Sequence, residues 1–483
     1  MIRAPPDNGI ARHLVSISMP ETAAFFHPPR PSSLPPVAAL ARTLWRGDGD
    51  LLSLLPAAAF TMRAGELGYS RRSTKLFNDP ALVREIMMDE QEIFPKSDLM
   101  VNALEPLIGD SIFVSDGAKW RRQRAMIDPA FSHMRLNLAF APMTAAVDAA
   151  EGVLAGNAGE GAPLSLDLAM SHLTADIICR TVFSISLQSD VAKDVFDDFT
   201  VFERDVAQVK IWRLIADPAW KRAPQPAAVL AACARIRERL GELIDTHLDQ
   251  GEGAGEHRYN DIASAVIAAR DEKTGARFSR DELIDQLGVF FLAGHETTAS
   301  ALTWAFYILA MQPEILARIR CEVDAVIGDD DVTIENIRKL HFVRSFFRET
   351  LRLYPPITFM PRVAMRDAKI GPYRIKKGAI VMISPWTLHR HRDYWTAPHA
   401  FDPDRFMPDR EKEITPGAYI PFGLGPHTCV GAGFAALESA LIIARLARRF
   451  DFHIDAPEKI RPAARLTTRP REQIMCSVKD LWA

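Results

Sequence analysis

The sequence predicts a mainly helical chain with a smaller β lobe, and three observations lead there. A long apolar stretch runs from Ser279 to Met311, with a helix start signal before it and Gln312-Pro313 after it. A second helical pattern, from about residue 341 to 354, ends against Pro355-Pro356, because a residue that precedes proline is steered out of the helical region. Past Ile357 the texture changes to short β-branched runs between turn residues.

Taken in order, residues 1–40 are rich in proline (Pro28-Pro29, Pro31, Pro35-Pro36) and read as an extended lead-in. Residues 1–70 are expected to pack on the β lobe, and 71–483 to form one domain. A mostly helical stretch follows from about 80 to 355. Ser279 with Glu282 is a capping-box pattern. The helix it opens carries Leu283, Leu287, Phe290, Phe291 and Leu292, apolar on nearly every face, which predicts a buried position. Roughly 30 residues at ~1.5 Å each make a rod of ~45 Å, enough to cross a domain. Tyr373-Arg374-Ile375 and Ala379-Ile380-Val381-Met382-Ile383 read as strands around the Lys376-Lys377-Gly378 turn, and residues 433–449 as a last helix.

Composition limits the function. With 483 residues, 48% hydrophobic and 25% charged, the chain can bury a large core in two lobes. A net charge of −3 leaves no basic excess for nucleic acid. The five cysteines, Cys179, Cys233, Cys321, Cys429 and Cys476, contain no CxxC pair. That fits a reducing compartment and excludes a zinc or iron–sulfur site built from cysteines alone. No run of 18 apolar residues occurs; residues 51–60 are about half a span and contain Pro56. The N-terminus lacks the basic-then-apolar order of a signal segment. The expectation is a cytoplasmic protein without a transmembrane anchor.

The densest chemical signal is Phe422-Gly423-Leu424-Gly425-Pro426-His427-Thr428-Cys429-Val430-Gly431, a glycine-rich loop that presents one thiol and then enters a helix. Backbone N–H groups aimed at the sulfur would keep it ionised and temper its donation. Gly425 and Gly431 permit a positive φ or a close approach of the backbone to a flat ligand. A lone thiolate so placed suits a haem iron; the competing reading is a buried structural cysteine.

Three further segments precede that loop: Ala293-Gly294-His295-Glu296-Thr297-Thr298, Glu349-Thr350-Leu351-Arg352 and Phe401-Asp402-Pro403-Asp404-Arg405-Phe406. In this order, from about residue 70 to the C-terminus, the chain resembles the cytochrome P450 superfamily of haem-thiolate monooxygenases, in its unanchored bacterial form. The resemblance implies haem b with Cys429 as the axial ligand of its iron, and Phe422 packed against the sulfur. It implies that Gly294 opens a groove for O2, that Thr297 orients water there and that Glu296 supplies protons. It also implies an Arg–Glu–Arg cluster of Glu349, Arg352 and Arg405 that holds the cysteine loop and takes no part in catalysis. Trp120 and Arg124, which share a helix face by their spacing, resemble the family's W-x-x-x-R pair for the haem propionates, joined by Arg362 and His427. Many members have arginine where His427 stands.

The expected substrate pocket draws on residues 100–113, 190–220, 290–300, 357–360 and 466–468, with Phe113, Phe290, Phe291, Ala293, Ile357, Phe359, Met360 and Leu466 as lining. An apolar, adaptable lining predicts a lipophilic substrate such as a fatty acyl, terpenoid or steroid-like molecule. The resemblance runs to the C-terminus and leaves no flavin or iron–sulfur module, so electrons from NAD(P)H are expected to arrive through a separate ferredoxin or flavodoxin with its reductase. Arg121, Arg122, Arg135, Arg445, Arg448 and Arg449 are the expected docking patch for that acidic partner; a monomer is the family default. Insertion of one oxygen atom of O2 is the leading function. A non-catalytic haem-binding protein and a peroxide-dependent or rearranging enzyme of the same fold are the alternatives, and the Glu296-Thr297 pair favours the O2 route.

Overall fold

The computed structural model of the chain describes residues 25–31, 34, 35, 37, 38, 41, 50–67, 72–89, 92–206, 225–251 and 260–483. Most of the N-terminal lead-in, and residues 207–220 of the expected pocket, lie outside the described residues.

The longer helices are α1 (Asp98–Ile108), α2 (Gly117–Ile127), α3 (His133–Glu160), α4 (Leu166–Phe183), α5 (Asp190–Val206), α6 (Ala227–Gly251), α7 (Arg280–Met311), α8 (Pro313–Val326), α9 (His341–Leu353) and α10 (Ala432–Arg449). The strands are β1 (Ala64–Glu66), β2 (Thr74–Phe77), β3 (Leu164–Ser165), β4 (Met360–Val363), β5 (Ala368–Ile370), β6 (Tyr373–Ile375), β7 (Ile380–Ile383), β8 (Phe450–Ile454), β9 (Pro462–Ala464), β10 (Thr468–Pro470) and β11 (Met475–Asp480). The helices outweigh the strands, as the sequence predicts.

Helix α7 is the organising rod. Ser279 Oγ accepts the Glu282 amide at 3.2 Å and Glu282 returns the favour to the Ser279 amide at 2.8 Å, closing the expected capping box. Gln312 ends the helix and Pro313 opens α8, where a missing N–H costs nothing. α7 packs on α1, α4, α6, α9 and α10. From Gln286 to Leu309 every residue is buried except Ala293, Gly294 and Thr297. That break in burial, in the middle of a core helix, is the first pointer to a site.

Helix α3 is long and apolar enough to cross a membrane by length and composition. It packs on α4, α10 and β11, and its buried Glu151 binds Arg445 from α10 at 2.9 Å.

The larger sheet has the order β1-β2-β7-β4, with β2 and β7 parallel and the outer pairs antiparallel. β1, Ala64–Glu66, supplies its edge. β6 and β7 do not pair around the 376–378 turn, contrary to the hairpin the sequence suggests. β6 pairs with β5 across Gly371, whereas β7 lies between β2 and β4. The four consecutive apolar residues of β7 suit a central strand covered on both faces, and exposed Arg374 suits an edge. β3, β11 and β8 form a second sheet, and β9 with β10 a hairpin.

Candidate active site

The cysteine loop is built by short backbone bonds. The Cys429 amide donates to the Phe422 carbonyl at 2.9 Å, and the Thr428 amide and hydroxyl both donate to Gly425 O, at 3.0 and 2.7 Å. Gly425 needs its glycine: φ is +74°, and a Cβ would lie 2.7 Å from Met87 O. The close approach there is to the Met87 backbone. Gly431 has an ordinary φ of −84°, and its N–H points at the Cys429 sulfur. Cys429 is accessible on one side, unlike buried Cys179, Cys233 and Cys476, yet the crowding around it pushes its thiol up, against the pull of the Gly431 N–H and Arg124. The Gly431 N–H stands where the loop sequence suggests a donor to the sulfur, and a coordinated metal would hold that sulfur ionised.

Beside the loop four basic side chains converge. Arg124 donates to Thr428 O at 2.6 Å and pairs with Asp128 at 2.5 Å. Trp120, one turn earlier on α2, stacks on His427 with ring centroids 3.9 Å apart. His427 Nδ1 is buried without a partner, and burial, then Lys96, Arg362 and Arg124, push this imidazole down to about 3. Arg362, on β4, is buried and makes no side-chain hydrogen bond among the described residues. Lys96 bridges to it through the backbone, sends its ammonium to Ile112 O and Ser115 O at 2.9 and 2.7 Å, and is pushed down to about 7, chiefly by burial. Asp116 accepts the Lys96 amide at 3.1 Å and is itself raised by burial. Arg362 makes no ion pair among the described residues, and a buried cation so placed is costly, which suits this part of the cluster to an anion. Sequence reasoning missed Lys96, which stands in a loop 266 positions from Arg362 (362 minus 96), with no motif to mark it.

Below the loop, Glu349 and Arg352 are joined by two bonds of 2.7 Å at zero exposure. Arg352 also donates to His389 O, Pro398 O and Ala400 O, each at 2.8 Å, which uses all five of its N–H groups. Glu349 accepts the Asp402 amide at 2.8 Å, and Arg405 Nε lies 3.4 Å from its Oε1. The three residues come together as the resemblance implies. His389, not foreseen, extends the cluster to the cysteine side: its Nδ1 meets Arg352 O at 3.2 Å and its Nε2 accepts the Ile420 amide at 2.8 Å.

On α7, Thr297 keeps its hydroxyl on Ala293 O at 2.8 Å, within a helical segment that is continuous from Arg280 to Met311. Glycine at 294 has a packing reason, since a Cβ would lie 2.4 Å from Ile178 Cδ1 on α4. Glu296 is buried and turned toward the C-terminal strands, where Thr467 donates to it at 2.6 Å and Arg469 at 2.9 Å. Arg469 holds this carboxylate down to about 2 against the opposing effect of burial.

Phe113, Ala293, Ile357, Phe359, Met360 and Leu466 are all partly exposed, as lining requires. Phe290 and Phe291 are buried, Phe290 edge-on to Phe131 and Phe291 edge-on to Phe199. Most arginines of the expected basic patch are paired with acids. Arg445 binds Glu151 and Asp148, Arg448 binds Asp324, and Arg449 binds Asp480. These three lie roughly 25 Å along α10 from the cysteine. Arg122 pairs with Glu282, Arg121 with Glu92, and Arg135 donates to Asn260.

One accessible thiol, an N–H behind it and a basic cluster beside it fit an iron porphyrin with two carboxylates. The family model described as Cytochrome P450 matches residues 66–477. Cyclooctatin synthase of Streptomyces melanosporofaciens is 30% identical, with 96% of each chain covered. Cyclooctat-9-en-7-ol 5-monooxygenase of the same organism is 30% identical over 86% of this chain and 87% of its own. The crystal structure of the cytochrome P450DA heme domain superposes with a TM-score of 0.74 at 26% identity, covering 86% of this chain and 88% of that one. With the thiol loop, the Glu349–Arg352 cluster and the long central helix in place, the chain belongs to the cytochrome P450 family, whose members are haem-dependent monooxygenases.

Proposed function

We propose that this P450 monooxygenase hydroxylates a terpenoid-type lipid, most simply a cyclic terpenoid alcohol. The observation that carries the reading is the single break in burial along α7, at Ala293, Gly294 and Thr297, in a helix packed against α10, which starts at the accessible Cys429. Partly exposed Phe113, Ile357, Phe359 and Leu466 supply apolar lining. The relative named for oxidation of cyclooctat-9-en-7-ol supports an alcohol of that class.

In this reading Cys429 ligates haem b, and Trp120, Arg124, Arg362, His427 and Lys96 hold its carboxylates. The bound haem supplies the iron at which O2 is activated. Thr297 orients water near that oxygen, Glu296 hands protons toward it, and Ala293 with Gly294 keeps the space open. Glu349, Arg352, Arg405 and His389 hold the loop in register. NAD(P)H is the electron source, delivered by a ferredoxin or flavodoxin, and the five cysteines without a disulfide support a cytoplasmic setting. Titrating the ferric protein with cyclic terpenoid alcohols, fatty acids and steroids, read as a spin-state change, tests the substrate class. A response to the terpenoid alcohols at micromolar concentration is expected; a response to fatty acids or steroids alone contradicts it.

A further inference from the structure

Glu296 does not stand alone in its buried niche. Glu203, on α5, brings a second carboxyl to it, and the two share a hydrogen bond. Two carboxyl groups bond to each other only when one carries a proton, because a carboxylate is an acceptor and nothing else. The other Glu203 oxygen, Oε1, is buried with no partner. His295 closes the third side, and the ligating atoms of Glu203, His295 and Glu296 all lie within 4.8 Å of one another. His295 Nδ1 faces the Phe291 carbonyl at 2.7 Å and must donate there, which leaves Nε2 as a bare acceptor.

The charge balance decides which carboxyl holds the proton. Arg469 forks onto Glu296 and also donates to Ser171 Oγ at 3.0 Å. Thr467 adds a third donor to Glu296. Burial keeps His295 neutral, down to about 4. One arginine balances one carboxylate; a second ionised carboxyl would be stranded. Arg465, which also reaches Glu203, and Asp167, which reaches Arg469, are of opposite sign. The same triad is no cation site, since Arg469 already occupies that electrostatic role. Burial first, and Glu296 second, hold Glu203 well above the usual carboxylate range.

We propose that Glu203 is a proton-storing residue that acts through Glu296: the pair carries one proton between them, resting on Glu203 and passed to ionised Glu296, which then gives it away. In the transfer the O–H bond on Glu203 breaks and one forms on a Glu296 oxygen. The electron pair stays on Glu203, which then takes a proton from solvent hydronium or buffer acid. The delivery role rests on the reading of Glu296 as proton donor; the shared proton does not.

The test has two arms on haem-loaded protein. With isotope-labelled glutamate side-chain carboxyls, infrared difference spectra of wild type against Glu203→Gln read the protonated carboxyl directly. A protonated carbonyl band at pH 7, lost in the variant, is expected. A wild-type NMR titration of the same labels gives the answer even if the variant does not fold. Only ionised glutamates near Glu296 at pH 7 overturn the shared proton. In the second arm NAD(P)H consumption is followed against pH with a surrogate ferredoxin and its reductase. Glu203→Gln should slow it at least roughly tenfold and steepen its loss at high pH, with partial rescue in Glu203→Asp. A protonated Glu203 with an unchanged rate and pH profile in Glu203→Gln overturns delivery. If Glu296→Gln is equally without effect, the failure belongs to the reading of Glu296.

Discussion

Glu349 accepts both prongs of the Arg352 guanidinium, at 2.7 Å each, in a place with no solvent access at all. Spacing three apart on an exposed helix, such a pair contributes little. Here the charge has nowhere else to go, and the remaining Arg352 donors tie three carbonyls of the 389–400 segment. Glu349→Ala strands a saturated arginine and frees the Asp402 amide, at a cost of about 3–5 kcal/mol. Purified variant should carry little haem and unfold at lower denaturant; full haem occupancy would refute the scaffold role.

Lys96 gives opposite effects in two states. In haem-free protein burial lowers it from 10.5 to about 7. Between those values the unfolded chain binds a proton that the folded one does not, so its contribution to stability rises with pH over that range. Lys96→Met should therefore stabilise the haem-free protein at pH 7, by a margin that shrinks toward pH 10. It should also weaken haem retention roughly ten- to hundredfold, by loss of one charged hydrogen bond. Apo-protein melts and haem transfer to apomyoglobin measure the two, and a loss in both or neither speaks against a propionate contact.

Gly294 presses on Ile178. Gly294→Ala would set its Cβ 2.4 Å from Ile178 Cδ1, and overpacking of this kind costs about 1–3 kcal/mol. Adding Ile178→Val removes the clashing atom and should recover part of that loss in a double-mutant cycle. Additive losses would place the cause elsewhere.

Thr297→Ala removes a hydroxyl that bonds only its own helix, so stability should change by less than about 1 kcal/mol. Product formed per NAD(P)H should fall severalfold while hydrogen peroxide rises. Unchanged coupling would remove Thr297 from the chemistry.

Arg445→Gln leaves buried Glu151 with a weaker partner set and should cost about 1–3 kcal/mol. The ionic-strength dependence of the first electron transfer should stay as in wild type, because this arginine is spent inside the fold. A flattened salt dependence would restore the docking patch.

What the sequence makes legible is local. The Ser279–Glu282 box, the proline stops and the apolar run of α7 each act within a few residues, and the motifs around Glu349, Arg405 and Cys429 recur at fixed spacings. What it hides is long-range partnership. Arg469 reaching Glu296 across 173 positions, Glu203 arriving on α5, and Lys96 beside Arg362 leave no periodic trace. The arginines at 445–449 misled for the same reason: a basic run shows charge, not the acids that fold onto it. Strands β6 and β7 were readable as strands but not as members of different sheets, since pairing is settled by burial of both faces of β7.

The account turns on sulfur ligation by Cys429, and the ferrous carbon monoxide spectrum of haem-loaded protein tests it most directly. Thiolate coordination predicts the strongly red-shifted Soret band, lost in Cys429→His. A wild-type band at the position typical of imidazole coordination, or the red-shifted band persisting in Cys429→His, would contradict it.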